Sequence, residues 1–293
     1  MIELAPNVHY LPGKNKSRFP YCACLYLAGK EMKVLVDAGM GGGNLRPAKD
    51  LGIDLLILTH CHIDHRLTRR EIPHVPVWCH ELEESFLCDK DHFLAATGLS
   101  RSGIDLRPFY GGLDDAFNME VAHRLVDGER LDLGGLTLVT VHTPGHTPGH
   151  LAFYIPEHGL LFSADVDLTS FGPYYGHDFA DIDAFIRSID KLKQIGAKTV
   201  TTGHAGPFNG GAGERFETYK AVIHERDRRL LNYLAEPRRM VDLVGRNLIY
   251  SAYAEGDRLQ GWFEQVHLEK HLTRLAHAGE VCRDTDSGAW RRC

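Results

Sequence analysis

The apolar residues of this chain fall into short runs, most of them cut off by glycine or proline. "NVHYLPG", "YCACLYLAG" and "MKVLVDAG" have strand length and end in this way, which predicts a meander of short strands. Alternation along "CACLYLAG" predicts that its strand is half-buried. "DLLILTH" is continuously apolar and predicts a strand covered on both faces. "VPVWCH" reads as the next strand, and "ELEESFLCDKDHFLAATG" as one helix stopped by Gly98. Residues 99–120 mix Gly, Pro and aromatics without a period and predict a long loop over the domain face.

"HRLVDGERLDLGGLTLVTVHTPG" predicts a hairpin around Gly134 and Gly135, and "GHLAFYIPEHGLLFSAD" a further strand pair. In "ADIDAFIRSIDKLKQIG", Ile182, Phe185, Ile186, Ile189, Leu192 and Ile195 share one helical face. "KTVTTGHAG" is a last short strand. From about residue 213 the pattern turns helical: "ERFETYKAVIHERDRRLLNYLA", "RRMVDLVGRNLIYSAYA" and "EQVHLEKHLTRLAHAG" predict three helices. In the third, Val266, Leu268, His271, Leu272, Leu275 and Ala276 form a candidate buried stripe. "EVCRDTDSGAWRR" then predicts a hairpin. Three helices and a hairpin follow the plan of a winged helix. The expected organisation is a strand-rich domain over 1–212 and a small, mostly helical domain over 213–293.

Composition narrows the function classes. The chain has 293 residues, 43% hydrophobic and 25% charged, with a net charge of −6. That balance does not announce nucleic acid or an acidic membrane. The N-terminus lacks the basic and apolar regions of a signal peptide, and no stretch reaches the roughly 18 apolar residues of a spanning helix. The seven cysteines are odd in number and their spacing suggests no disulfide framework, so a reduced, cytoplasmic protein is expected. Cys22 and Cys24 read as strand side chains, and Cys61 as a spacer pointing into the core. "GMGGGNLRPAKDLGI" lacks the ending of a P-loop and reads as a plain glycine-rich loop leading into a short helix.

The candidate chemistry sits where strands end. "LTHCHIDHRL" packs His60, His62, Asp64 and His65 into six residues. "HTPGHTPGH" carries His142, His146 and His150, "FSADVD" offers Asp165 and Asp167, and "TTGHAGP" offers His204. Functional groups of layered α/β folds collect on loops at one sheet edge, so four loops can meet there. A single ion needs three or four ligands. A set of about seven suits two adjacent ions sharing a bridging carboxylate. Imidazole and carboxylate suit zinc, with iron or manganese as alternatives, and the lack of partner cysteines points to hydrolysis over a structural site.

These residues resemble the metallo-β-lactamase superfamily. The match is carried by His60-x-His62-x-Asp64-His65, Pro144-Gly145-His146-Thr147-x-Gly149, Asp165 after "FSA", and His204 in "TGHAG", in that order. "NVHYL" and Asp37-Ala38-Gly39 add to it, and the likeness covers roughly residues 3–210. It implies an αββα four-layer sandwich of two mixed sheets. It also implies one divalent cation on His60, His62 and His146, a second on Asp64, His65 and His204, and Asp165 bridging them. A bridging hydroxide is then the nucleophile, and Asp64 orients it and returns a proton to the leaving group. Arg66, Leu67 and Thr68 stand where many thioesterases of the hydroxyacylglutathione type have a residue and two glycines. A bulky arginine there is expected to alter the wall beside the second cation.

The C-terminal region resembles the winged-helix appendage of the β-lactamase-like protein 2 subgroup, some of whose members cleave single-stranded RNA. Residues 213–293 hold 14 Lys and Arg against 13 Asp and Glu, a balance that favours packing or dimerisation over nucleic-acid binding. Tyr174, Tyr175 and His177 follow the bridging aspartate and are candidate substrate contacts, with a phenol available to a developing oxyanion. The expected function is dinuclear hydrolysis of a small thioester, lactone or similar molecule. The alternatives are an endoribonuclease using the C-terminal domain as a clamp, and a non-hydrolytic metal-binding or iron redox protein.

Overall fold

Alternate residues along the strands face different cores, and this sets the layers. A computed structural model describes residues 1–110, 112–251 and 256–293. One sheet has seven strands in chain order: β1 (Ile2–Ala5), β2 (Val8–Leu11), β3 (Cys24–Ala28), β4 (Lys33–Val36), β5 (Leu55–Ile57), β6 (Val77–His80) and β7 (Val121–Leu125). Strands β1 to β4 pair antiparallel and β4 to β7 parallel. The other sheet contains β8 (Arg130–Asp132), β9 (Thr137–His142), β10 (Leu151–Ile155), β11 (Leu160–Phe162), β12 (Thr199–Thr201) and β13 (Phe208–Asn209), ordered β13-β12-β11-β10-β9-β8. It is mixed too, because β11 and β12 run parallel.

Val34, Val36, Leu55 and Ile57 share a core with Leu138, Phe153, Ile155 and Phe162 between the sheets. The intervening Leu35 and Leu56 pack outward with Ala48, Phe86, Leu87 and Phe93. On the far side, Ala152, Leu161 and Val200 meet Phe185, Ile189 and Leu192 of helix Ile182–Gln194 and Phe216 and Ile223 of helix Gly213–Tyr233. Each such side chain contributes about 1.5–3 kcal/mol on full burial. The result is the expected αββα sandwich. Strand β3 departs from the half-buried expectation. Leu25 and Leu27 enter the inter-sheet core while Cys24 and Tyr26 enter the outer one, because helices cover that face.

Other departures have local causes. Residues 81–96 form two helices, Glu81–Cys88 and Lys90–Ala96, because extended Asp89 caps the second by accepting from the His92 N–H. The "HRL" stretch of the expected hairpin joins the first sheet beside β6, leaving β8 and β9 as the hairpin. In segment 99–120, whose residue 111 lies outside the described residues, the chain makes short helical turns, and Phe117 and Met119 are buried in the outer core.

The C-terminal region has two long helices, Gly213–Tyr233 and Arg258–His277, and a hairpin of β14 (Val281–Arg283) and β15 (Trp290–Arg292). Where the sequence predicts a further full helix between the two, among the described residues only Met240–Leu243 is helical, since Gly245 and Asn247 turn left-handed. Residues 252–254 of that expected helix lie outside the described residues. The hairpin also corrects the all-reduced expectation. Its pairing brings the chain end back to β14, and Cys282 and Cys293 form a disulfide. Among the described residues, no helix is long and apolar enough to cross a membrane.

Candidate metal centre

Four strand ends deliver one cluster of side chains. After β5, residues Ile63–His65 make a single tight turn that presents His60, His62, Asp64 and His65. The loop after β9 brings His146, the loop after β11 brings Asp165, and the loop after β12 brings His204. Close packing demands glycine here. A Cβ on Gly39 would lie 1.5 Å from the Asp64 carbonyl oxygen, so the β4 end can lie against the ligand turn only without a side chain. Ala164 holds φ at 44°, a conformation costing roughly 1–2 kcal/mol, immediately before Asp165.

The donor atoms form two groups. His146 Nε2 lies 2.8 Å from His62 Nδ1, 3.3 Å from His60 Nε2 and 3.2 Å from Asp165 Oδ2. His204 Nε2 lies 3.4 Å from both Asp64 Oδ2 and Asp165 Oδ1, and His65 Nε2 lies 2.9 Å from Asp165 Oδ1. Asp165 therefore reaches both groups, one oxygen to each. All seven residues proposed from the sequence are brought together. His142, His150 and Asp167 are not. The His150 Nε2 accepts from the Asp165 N–H, so the ring supports the ligand loop from behind. Burial, with His146 next in weight, pushes its pKa down to about 3 and keeps it neutral. His142 stacks on His80, and the Asp167 carboxylate accepts from Thr169.

The far nitrogen of each imidazole is held. His146 Nδ1 donates to the Tyr174 carbonyl at 2.8 Å, and His204 Nδ1 to the Ser17 carbonyl at 2.7 Å. His65 Nδ1 donates to Asp37 Oδ2 at 2.8 Å. Thr59 donates its hydroxyl proton to Asp37, so its oxygen accepts from His60 Nδ1 at 2.9 Å. His62 Nε2 meets His177 Nδ1 at 2.8 Å. A carbonyl can only accept, so His146 and His204 carry a proton on Nδ1 and turn Nε2 toward the cluster.

These groups fit a cation. His146 Nε2 lies 2.8–3.3 Å from His62 Nδ1 and His60 Nε2, about the separation expected of nitrogens that would share one ion at ~2.0–2.1 Å each. Buried His65 Nε2 and Asp165 Oδ1 have no hydrogen-bond partner although they lie 2.9 Å apart, so both are aimed at a third body. Electrostatics agree. Burial opposes charge on His204, yet Asp165 and Asp64 hold its pKa up at about 10. Burial likewise opposes charge on Asp165, and His65, His204 and His60 hold it well below the usual carboxylate range. Protons sit where the cluster wants positive charge. A second cluster of Cys22, Asp37 and His65 is explained without a metal. Asp37 and His65 already bond each other, and burial and Cys24 push the Cys22 thiol well up.

Three sequence-proposed substrate contacts separate here. The Tyr174 ring faces His62 and His146 at 6.4 and 5.9 Å between centroids. His177 orients His62. Tyr175 turns away: its buried phenol bonds His271 Nε2 at 2.7 Å and the Arg226 guanidinium at 2.8 Å, so it does not line the site. Arg66 also departs from expectation. Its guanidinium lies over Phe117 and donates to the Ala116 carbonyl, which places it in the outer core and not in the site wall. The loop over 171–180 is held by the C-terminal helices, through Arg226 to the Phe171 and Pro173 carbonyls and Lys270 to the Asp178 and Ala180 carbonyls.

Sequence reasoning missed Glu83, which is 0% exposed. Its carboxylate accepts from the Cys61 N–H at 2.8 Å on one ligand loop, and from the Thr147 hydroxyl at 2.7 Å and the Gly149 N–H at 2.6 Å on another. The signal was its position on one helical face with Phe86 and Leu87, which marks a carboxylate aimed inward.

Residues 18–204 match the model of the metallo-beta-lactamase superfamily. The chain belongs to that superfamily. It is similar to the metallo-beta-lactamase fold-containing protein ST1585 of Sulfurisphaera tokodaii, 25% identical over 212 residues that cover 68% of this chain and 78% of that one. It is also similar to the human acyl-coenzyme A thioesterase MBLAC2, 30% identical over 156 residues, 47% of this chain and 55% of that one. The match thus spans about half of that relative. The crystal structure of the metallo-beta-lactamase family protein TTHA1429 from Thermus thermophilus superposes with a TM-score of 0.78 at 26% identity, covering 99% of this chain and 100% of that one. As a superfamily member with this His/Asp cluster, the chain is a metal-dependent hydrolase.

Proposed function

We infer that this superfamily member hydrolyses small ester-like molecules, thioesters foremost, with two divalent cations. His60, His62 and His146 would hold one, Asp64, His65 and His204 the other, with Asp165 between them. The supporting observation is the pair of donor groups joined by the two oxygens of Asp165. Zinc suits this imidazole-rich set best, with iron or manganese as alternatives. Bound there, the cations supply Lewis-acid chemistry for attack of water on a carbonyl.

The chain's own residues do the rest. Asp64 lies at the edge of the second donor group, where its carboxylate can orient the attacking water and return a proton to the departing thiol. Tyr174 forms one wall beside the first group. The name of the thioesterase relative supports a thioester among ester-like substrates. The near-balanced charge of residues 213–293 and their grip on the 171–180 loop support a packing role for that region.

Elemental analysis followed by a panel of acyl-coenzyme A, other thioesters, lactones and RNA tests this reading. Two ions per chain and chelator-sensitive thioester turnover are expected. One ion with full activity overturns the dinuclear assignment, and RNA cleavage in preference to thioesters overturns the substrate.

A further inference from the structure

The segment between β2 and β3 reads "GKNKSRFP". Its Lys14, Lys16 and Arg18 are exposed, and among the described residues none of the three forms an ion pair. Three unpaired cations within five residues stand out on a chain of net charge −6. Phe19 follows at 75% exposure. The backbone here is unusual: Asn15, Lys16 and Ser17 are all left-handed, at φ 49°, 56° and 60°. Conformations of this kind persist where surrounding contacts enforce them, and they gather at ligand-binding segments.

The enforcing contacts are visible. Gly13 N–H donates to Ser17 Oγ at 2.8 Å, and Lys14 N–H to the Met40 carbonyl at 2.9 Å. The Ser17 carbonyl accepts from His204 Nδ1 at 2.7 Å. The turn is therefore bolted to a residue of the candidate metal centre, with its cations on either side of the bolt. The Lys14 stem and the Tyr21 ring both crowd Gly41, where a Cβ would come within 2.9 Å of each, so this loop and the glycine-rich one pack together.

We propose that residues 14–19 form the recognition site for the phosphates of a nucleotide-bearing thiol, the carrier half of a coenzyme A thioester. Lys14, Lys16 and Arg18 pair with phosphate oxygens, and Phe19 offers an exposed ring on which a base stacks. This rests on the thioester reading above and names its carrier. The metal centre holds the acyl carbonyl while the turn beside His204 holds the charged end.

The test compares acyl-coenzyme A with the same acyl group on pantetheine, which has the thioester and no phosphate. Lys14, Lys16 and Arg18 are changed together to Gln in the full, metal-loaded chain, with metal content and thermal midpoint as controls. The ratio of kcat/KM for acyl-coenzyme A to that for acyl-pantetheine should fall about tenfold or more, through KM. Free coenzyme A is titrated in parallel by calorimetry at low and high salt. Its affinity should weaken with salt in the natural chain, as exposed charges are screened, and lose that dependence in the variant.

An unchanged ratio, or coenzyme A binding indifferent to salt, overturns the proposal while leaving thioester hydrolysis standing. Salt-sensitive binding that needs the three cations, with no thioester turned over, supports the site and overturns the hydrolysis reading. Should the triple variant fold poorly, Lys16→Gln alone and the salt dependence of the natural chain decide the matter.

Discussion

Two buried clusters of histidine and aspartate lie close together in this protein, and they are built on opposite rules. In the candidate metal centre, ring nitrogens of His60, His146, His65 and His204 converge with carboxylate oxygens, several of them with no partner of the opposite kind. In the second cluster, Asp227 Oδ1 meets the His271 Nδ1 at 2.6 Å, Arg274 meets Asp227 Oδ2, and the Tyr175 phenol meets His271 Nε2 at 2.7 Å. There every acceptor faces a donor. The closed cluster is complete as protein and ties the helices Gly213–Tyr233 and Arg258–His277 to the 171–180 loop. The open cluster is complete only with a cation. Residue type alone does not separate the two; the direction of each lone pair does.

Changes that attack the open cluster should have the largest effects. Asp165→Ala removes the carboxylate that reaches both donor groups. Activity should fall by about a thousandfold or more, since several kcal/mol of charge stabilisation goes with it, and elemental analysis should show fewer ions per chain. Asp37→Asn leaves all seven donors in place and removes only the charge behind His65. Metal affinity should weaken about 10–100-fold, as for other partners of ligating histidines, measured by competition with a chelator. An unchanged affinity would break the idea that orientation matters as much as ligation.

Glu83→Gln tests the tie between two ligand loops. The amide can turn only one oxygen toward three donors, so denaturant unfolding should show a loss of about 1–3 kcal/mol. The closed cluster should respond to acid and only weakly. Burial and Arg226 and Arg274 outweigh Asp227 and hold the His271 pKa below its ordinary value, so the ring is neutral in the fold. Stability from this residue is present above about pH 6.5 and is lost as pH falls from there toward the folded pKa. Asp227, despite burial, is held low by His271 and Arg274, so its share goes only at lower pH still. Unfolding free energies at about pH 7.5 and 5.5 should differ less in His271→Gln than in the natural chain, by about 1 kcal/mol or less.

The sandwich was legible because alternating and continuous apolar runs report which faces are covered, and the outer helices hide only in cases such as Cys24 and Tyr26. The seven clustered residues were legible because four of them share one turn and the others end strands. Their supports were not. Asp37, Glu83 and His177 reach the cluster from 28, 22 and 115 residues away in the chain; the helical face of Glu83 marks it as inward, but no local pattern says what any of the three meets there. Tyr174 and Tyr175 are neighbours in a loop without a period, so nothing in the sequence said that one would face the cluster and the other the helices. The second expected C-terminal helix failed for a simpler reason: its apolar residues had helical spacing, and Gly245 and Asn247 broke the backbone beneath them.

His146 and His204 are oriented by main-chain carbonyls, those of Tyr174 and Ser17. A carbonyl has no side chain to mutate. Point substitutions at 17 and 174 leave the carbonyls themselves in the chain, whereas the Asp37 carboxylate and the Thr59 hydroxyl can be lost in one codon change. The Ser17 hydroxyl and the Tyr174 ring have roles of their own, but what these two anchors themselves require is the path of the main chain, and so loop length. Inserting or deleting one residue in 13–21 or 171–177 slides the carbonyl away from its imidazole. The orientation of His146 and His204 should therefore survive exchange at 17 and 174 far better than a change in loop length, and a library of single-residue insertions would expose that asymmetry.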